Sequence, residues 1–265
     1  MDIRKNIEEM SLNGWPALQT VLYDGWLLRF ADGYTKRSNS INAIYGHTLA
    51  LDDKIKRCEE MYRERDLATV FKITPFSKPK ELDNRLDEQG YIMFDHTTVK
   101  TASLRDLVEP MNSEAGSVSK VGEAINPKIK IVITTEPTSF WLDAVAVMQG
   151  LNEHQRETTR RMMSDQPLRK AFAVLLEDRK PVACGAVVIE QGWAGLYDIV
   201  TEPASRGLGY GEQLTRQLLM WAKENGADNA YLLVVTGNVA ASRLYDKFGF
   251  KYSYDYWYRV KKTTE

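Results

Sequence analysis

One segment constrains this chain more than any other: Ile199-Val200-Thr201-Glu202-Pro203-Ala204-Ser205-Arg206-Gly207-Leu208-Gly209-Tyr210-Gly211. An apolar strand end passes through glycines into a stretch with Leu214, Leu218, Trp221 and Ala222 at helical spacing and Gly226 as its stop. Glycines let backbone amides turn inward without a Cβ in the way. The first-turn amides of the helix that follows have no intrahelical acceptor and sit at the positive end of its dipole. That is the geometry of an anion site, and a pyrophosphate suits it. Two familiar nucleotide loops are excluded, because Glu212 stands where G-x-G-x-x-G needs its last glycine and no Gly-Lys-Ser/Thr ending follows. For this segment alone, a glycine-rich connection without a ligand is the competing reading.

The rest of the chain supplies a context for it. Gly, Ser, Pro and Asn displace the apolar periodicity between about Glu109 and Lys128, which divides the chain into 1–108, a linker over 109–128 and 129–265. Downstream, two helices (141–150 and 153–164), three strands (171–176, 182–190, 193–200), the helix after the glycine turn, a strand at 230–235, a short helix at 238–248 and a last strand at 250–260 make an α/β unit with a mixed sheet. Upstream, Thr20–Phe30 and Ser38–Tyr45 read as a hairpin about Ala31-Asp32-Gly33, followed by helix, strand, helix, strand. The halves share a helix, Gly-aromatic, strand ending, Leu86 to Tyr91 and Tyr245 to Phe250, which suggests an internal duplication. Aligned on that glycine, the glycine-rich turn faces Gly46-His47-Thr48-Leu49-Ala50, and Tyr245 faces Leu86.

Composition narrows the function classes. With 35 basic and 36 acidic side chains, the formal charge of −1 leaves no basic footprint for nucleic acid or an anionic membrane. Two cysteines, 58 and 184, and three scattered histidines make neither a disulfide framework nor a metal site. No signal-like leader and no 18-residue apolar run appears, so the cytoplasm is the expected compartment.

Arg206-Gly207-Leu208-Gly209-Tyr210-Gly211 matches the R/Q-x-x-G-x-G/A motif of the GNAT superfamily of acyl-CoA-dependent N-acetyltransferases. Beginning 27 residues after the last motif glycine, Asn238-Val239-Ala240-Ala241-Ser242-Arg243-Leu244-Tyr245-Asp246-Lys247-Phe248-Gly249-Phe250 resembles its second signature, N-x-x-A-x-x-L-Y-x-K-x-G-F. The resemblance covers about 131–260 and implies the GNAT fold there, with a degenerate, tandem GNAT-like copy before it. It implies acetyl-CoA as co-substrate, no metal, and a small-molecule or peptide amine as acceptor. Monomer and homodimer both stay open.

Residue by residue, the resemblance implies that Arg206, Gly207, Leu208, Gly209, Tyr210 and Gly211 bind the CoA pyrophosphate, chiefly through main-chain amides. Ile199 and Val200 would pair with the pantetheine arm, with the Val200 amide facing the thioester carbonyl. Asn238 would reach the pantetheine or cap its helix. Tyr245 would protonate the departing thiolate. The base that receives the amine proton is sought in Asp198, which shares strand parity with Val200, and then in Glu190. The acceptor pocket is expected around 149–153, Trp193, Tyr197 and the aromatic last strand. The cluster Trp26, Arg29, Tyr34, Lys36, Arg37 and Asn39 either lines a seam between the halves or completes the amine cleft. Cys184 is expected to be an inert buried thiol. The alternative to an enzyme is an acyl-CoA-binding sensor that has lost the chemistry.

Overall fold

The computed structural model describes residues 2–105 and 128–261. The expected linker therefore falls outside the described residues except for Lys128. Along the chain the elements are α1 (Ile3–Gly14), β1 (Gln19–Tyr23), β2 (Trp26–Phe30), β3 (Ile41–Asn42), α2 (Leu51–Arg63), β4 (Val70–Ile73), α3 (Leu82–Glu88), β5 (Tyr91–Ser103) and β6 (Ile129–Thr134). There follow α4 (Ser139–Gln149), α5 (Glu153–Ser164), β7 (Arg169–Glu177), β8 (Lys180–Glu190), β9 (Trp193–Thr201), α6 (Tyr210–Glu224), β10 (Asn229–Val235), α7 (Val239–Asp246) and β11 (Lys251–Lys261). Two compact units share them: Met1–Val99 with Leu233–Val239 and Tyr252–Glu265, and Lys100–Leu232 with Ala240–Lys251. The units thus interleave in sequence, where the sequence reading divides the chain once.

In the first unit the strand order is β1-β2-β3-β4-β11-β5. The sheet is mixed: β3 and β4 run parallel, while β1/β2, β2/β3 and β4/β11 are antiparallel. Strand alternation sends Leu28, Ile41, Phe71 and Ile73 to one face, where they pack with Ile55, Cys58 and Tyr62 of α2 and Leu82 and Leu86 of α3. The intervening Lys72 goes to the other face and meets Glu8 of α1. Both side chains are fully buried, with Nζ 2.5 Å from Glu8 Oε1, and Tyr254 donates to Glu8 Oε2 at 2.8 Å. Two charges withdrawn from water are tolerable only when paired this closely and hydrogen-bonded further.

The hairpin expected about Ala31-Asp32-Gly33 forms one turn earlier in the chain. The hairpin turn is Asp24-Gly25, with φ +41° and +81°, between β1 and β2. Asp-Gly is the dipeptide that a two-residue hairpin turn with both φ positive prefers. Two members of the polar cluster, Trp26 and Arg29, are internal framework of this unit. Trp26 is fully buried and donates Nε1–H to the Lys78 carbonyl at 2.9 Å. Arg29 is 3% exposed and donates to the carbonyls of Arg37, Leu12 and Trp15 at 2.8, 2.9 and 2.6 Å. Burial lowers its pKa to about 10.

In the second unit the order is β10-β9-β8-β7-β6, antiparallel from β6 to β9 and parallel between β9 and β10. α4 seats Trp141 on the sheet, its Nε1–H donating to the Gly185 carbonyl at 3.0 Å and its ring edge-on to Phe172. α6 buries Leu214, Leu218, Leu219 and Ala222 completely. At about 1.5–3 kcal/mol for each leucine, that face fixes the helix and with it the glycine turn at its start. β5 also extends into this unit through Lys100–Ser103, after which the Leu104 amide donates to the Asp228 carbonyl at 2.8 Å.

Arg29→Ala strands two buried carbonyls and one half-buried one and is expected to lower the unfolding free energy by about 3–5 kcal/mol in urea titrations; a loss under about 1 kcal/mol would contradict the framework role.

Candidate active site

The site begins with a fault in the β8–β9 ladder. Cys184 pairs with Val200 and Ala186 with Tyr197, so Asp198 and Ile199 together lie opposite Gly185. Asp198 takes φ +49°, a left-handed conformation that aspartate tolerates better than most residues. Gly185 makes room for the bulge, since a Cβ there would stand 2.5 Å from Ile199 Cδ1 and 3.3 Å from Leu218 Cδ1. Pairing of β9 with β10 ends at Leu196↔Leu232, and β9 runs on to Thr201 beyond it.

Hydrogen-bond alternation then decides which groups face that edge. The Glu202 amide donates to the Val182 carbonyl at 3.0 Å, so the antiparallel alternation directs the Val200 amide toward β8 and the Thr201 amide away from it. Val200 is thus turned from the role expected of its amide, and Thr201 takes the edge position. Ile199 packs its side chain toward Leu218.

After a short 3-10 turn at Pro203–Ser205, Gly207 and Gly209 adopt φ +81° and +86°, and Gly209 caps α6. The first intrahelical bond is Gln213 N–H to the Gly209 carbonyl at 3.0 Å. The amides of Tyr210, Gly211 and Glu212 therefore have no acceptor within the helix. Nothing lies within 4 Å of a Cβ at Gly207 or Gly209, whereas one at Gly211 would come 3.1 Å from Thr201 Oγ1. The turn is open on its outer side and tight against β9, so the residues present fit a bound pyrophosphate. Tyr210 points its ring into the unit, where a hydrogen bond to the Glu177 carboxylate raises its pKa. Leu208 is 63% exposed, and Arg206 Nε–H donates to the Thr201 carbonyl at 3.4 Å.

Tyr245 sits in the last turn of α7, buried and edge-on to Phe250 at 5.8 Å. Burial alone pushes its phenol up to about 12, and its hydroxyl makes no hydrogen bond among the described residues. Asn238 immediately precedes α7. Cys184 is fully buried, its Sγ 3.7 Å from Met148 Sδ, and burial followed by the Asp198 charge drives its thiol pKa far above the usual range. Asp198 accordingly lies near Cys184 on β9. Glu190 pairs with Trp193 at the opposite end of that strand, about 23 Å from Val200 at a rise of about 3.3 Å per residue. The structure therefore does not bring Glu190 to the turn. Trp193 likewise lies at the far end, lining a cavity of about 600 Å³ with Asn229, Arg216, Lys247 and Lys251. Tyr197 is buried against Tyr231, their hydroxyls 2.7 Å apart over Gly195.

A family profile described as "Probable histone acetyltransferase Rv0428c C-terminal" matches residues 1–259. The chain belongs to that family. It is 31% identical over 261 residues to the "Uncharacterized N-acetyltransferase YobR" of Bacillus subtilis (strain 168), covering 98% of this chain and 99% of the relative. Among solved structures it is similar to a GCN5-related N-acetyltransferase from Kribbella flavida (TM-score 0.72, 16% identity, 100% and 97% of the two chains). It is also similar to a tandem GNAT protein from the clavulanic acid biosynthesis pathway (TM-score 0.56, 15% identity, 78% and 68%). The protein is a GNAT-fold N-acetyltransferase, and its structural relatives include tandem members.

The first unit treats the turn that follows β3 differently. The Asp24 carboxylate accepts from the Thr48 and Leu49 amides at 3.0 Å, from Thr48 Oγ1 at 2.8 Å and from Lys54 Nζ at 3.0 Å, just ahead of α2. Gly25 holds it there, because a Cβ would lie 1.7 Å from the Gly46 carbonyl oxygen. A side chain thus supplies the negative charge at this turn. The Leu49 amide, then Thr48 and Lys54, hold the Asp24 carboxyl well below the usual carboxylate range. Asp-Gly and the Thr48-Leu49 pair were both visible in the sequence, but their meeting is a tertiary fact.

A depressed folded-state pKa contributes stability that is complete above the unfolded value of about 4 and is lost as pH falls through the folded value. The stability gap between wild type and Asp24→Asn should therefore shrink from pH 5 toward pH 2 in urea titrations; a gap that stays constant would contradict the assignment.

Proposed function

We propose that the protein transfers the acetyl group of acetyl-CoA to a primary amine by direct attack in a ternary complex. The observation that carries this reading is the juxtaposition, within one unit, of a β9 edge beyond its pairing with β10 and three helix-start amides without intrahelical acceptors. Acetyl-CoA supplies the activated acyl group as a thioester. The amides of Tyr210, Gly211 and Glu212 hold its pyrophosphate, assisted by the α6 dipole. The Thr201 amide pairs with the pantetheine arm. Ile199 and Val200 shape the strand behind it.

The amine nitrogen forms its bond to the thioester carbonyl carbon as the C–S bond breaks. Tyr245 donates its O–H to the departing sulfur, and a phenol raised to about 12 keeps that proton throughout the physiological range. Asp198, on the bulge of the same strand, receives the proton lost by the amine nitrogen. The depth of Cys184 in the sheet favours direct transfer over an acyl-thiol route. The acceptor is a small-molecule or peptide amine; the family description names a histone acetyltransferase. A role as an acyl-CoA sensor predicts binding without turnover.

Calorimetry should give about one acetyl-CoA per chain, since Asp24 fills the turn of the first unit. Tyr245→Phe should keep the acetyl-CoA Kd within about twofold while thiol release falls about 100-fold or more. Loss of the Tyr245 proton should add no alkaline limb to kcat below about pH 11. Two equivalents bound, or full turnover by Tyr245→Phe, would sink the respective halves of the reading.

A further inference from the structure

α7, which carries Tyr245, has eight residues, and a helix that short holds no orientation of its own in water. Its direction, and hence the aim of the phenol, comes from what grips it. One grip is Lys247, whose Nζ lies 2.6 Å from Glu212 Oε2 on α6. Another comes from β5. Lys100 reaches across with Nζ 2.6 Å from Ser242 Oγ and 2.7 Å from Asp246 Oδ1. Ser242 and Asp246 are four residues apart, one above the other on a helix face, and Tyr245 adjoins that face. A single ammonium therefore pins one whole turn of α7, close to the C-terminal end where a cation is favoured. The lysine is 12% exposed and Asp246 57%, so the bond is held on the lysine side. Lys100 belongs to the same compact unit as α7 although it precedes the linker in sequence.

We propose that Lys100 is a positioning residue for Tyr245, and that this is what the N-terminal part of the chain lends to the transfer reaction. The proposal rests on Tyr245 being the proton donor. Removing the ammonium leaves a solvent-exposed carboxylate and a hydroxyl, not a stranded buried charge, so Lys100→Met should fold.

The test is a double-mutant cycle on the full-length protein, with thiol release from acetyl-CoA measured against a mixed amine panel and hydrogen exchange followed over 240–246 and 210–224. Lys100→Met is expected to lower kcat about 10-fold, to leave the acetyl-CoA KM within about twofold, and to speed exchange in 240–246 but not in 210–224. Lys100→Arg should restore most of the rate, and adding Lys100→Met to Tyr245→Phe should cost nothing further. Wild-type kcat in Lys100→Met, unchanged exchange in 240–246, or a loss that adds in full to that of Tyr245→Phe would overturn the proposal while leaving the acid role of Tyr245 standing. Full activity of Tyr245→Phe alone would remove the acid role itself, and the positioning role with it.

Discussion

Backbone amides that neither a strand nor a helix uses must find an acceptor elsewhere, and both units of this protein are organised around that demand. In the second unit the amides of Tyr210, Gly211 and Glu212 follow a strand that runs beyond its partner β10. In the first, the Thr48 and Leu49 amides are closed by the carboxylate of Asp24. A strand-turn-helix segment is thus open in one unit and closed in the other by one side chain on a two-residue turn.

Packing keeps the open copy open. Gly185 admits Ile199 and Leu218 where any side chain would collide, Trp141 ties the same glycine's carbonyl to α4, and the leucines of α6 seat the helix on the sheet. The bulge at Asp198 shifts β9 by one residue relative to β8, which decides that Thr201 rather than Val200 presents its amide at the edge. A substitution at Gly185 would thus act on the turn through Ile199 without touching a ligand.

The strand-turn-helix segment, the amphipathic α6 and the second signature on α7 were legible in the sequence because each rests on local chemistry: glycine φ, helical spacing, a Gly stop. Less local features were not. α1 escaped the sequence reading because its buried face carries Glu8 and Ser11 beside Ile7 and Met10, so its apolar stripe is broken by a charge that only Lys72 and Tyr254 explain. Period-two alternation cannot foresee an extra residue at Asp198, so the side of β9 on which the Val200 amide lies was not legible in the sequence. The place of Arg29 was left open between a seam and a cleft because nothing in the sequence announces that the carbonyls of Leu12, Trp15 and Arg37 converge on it. Lys100 was assigned to the N-terminal half by position, and only its bonds to Ser242 and Asp246 reveal which unit it serves.

The central claim, one open turn and one closed, is tested most directly by hydrogen-exchange mass spectrometry of the wild-type protein with and without saturating acetyl-CoA. Slowed exchange is expected across 199–213 and the start of α7, with no change across 46–54. Protection at 46–54, or its absence at 206–213, would contradict that claim.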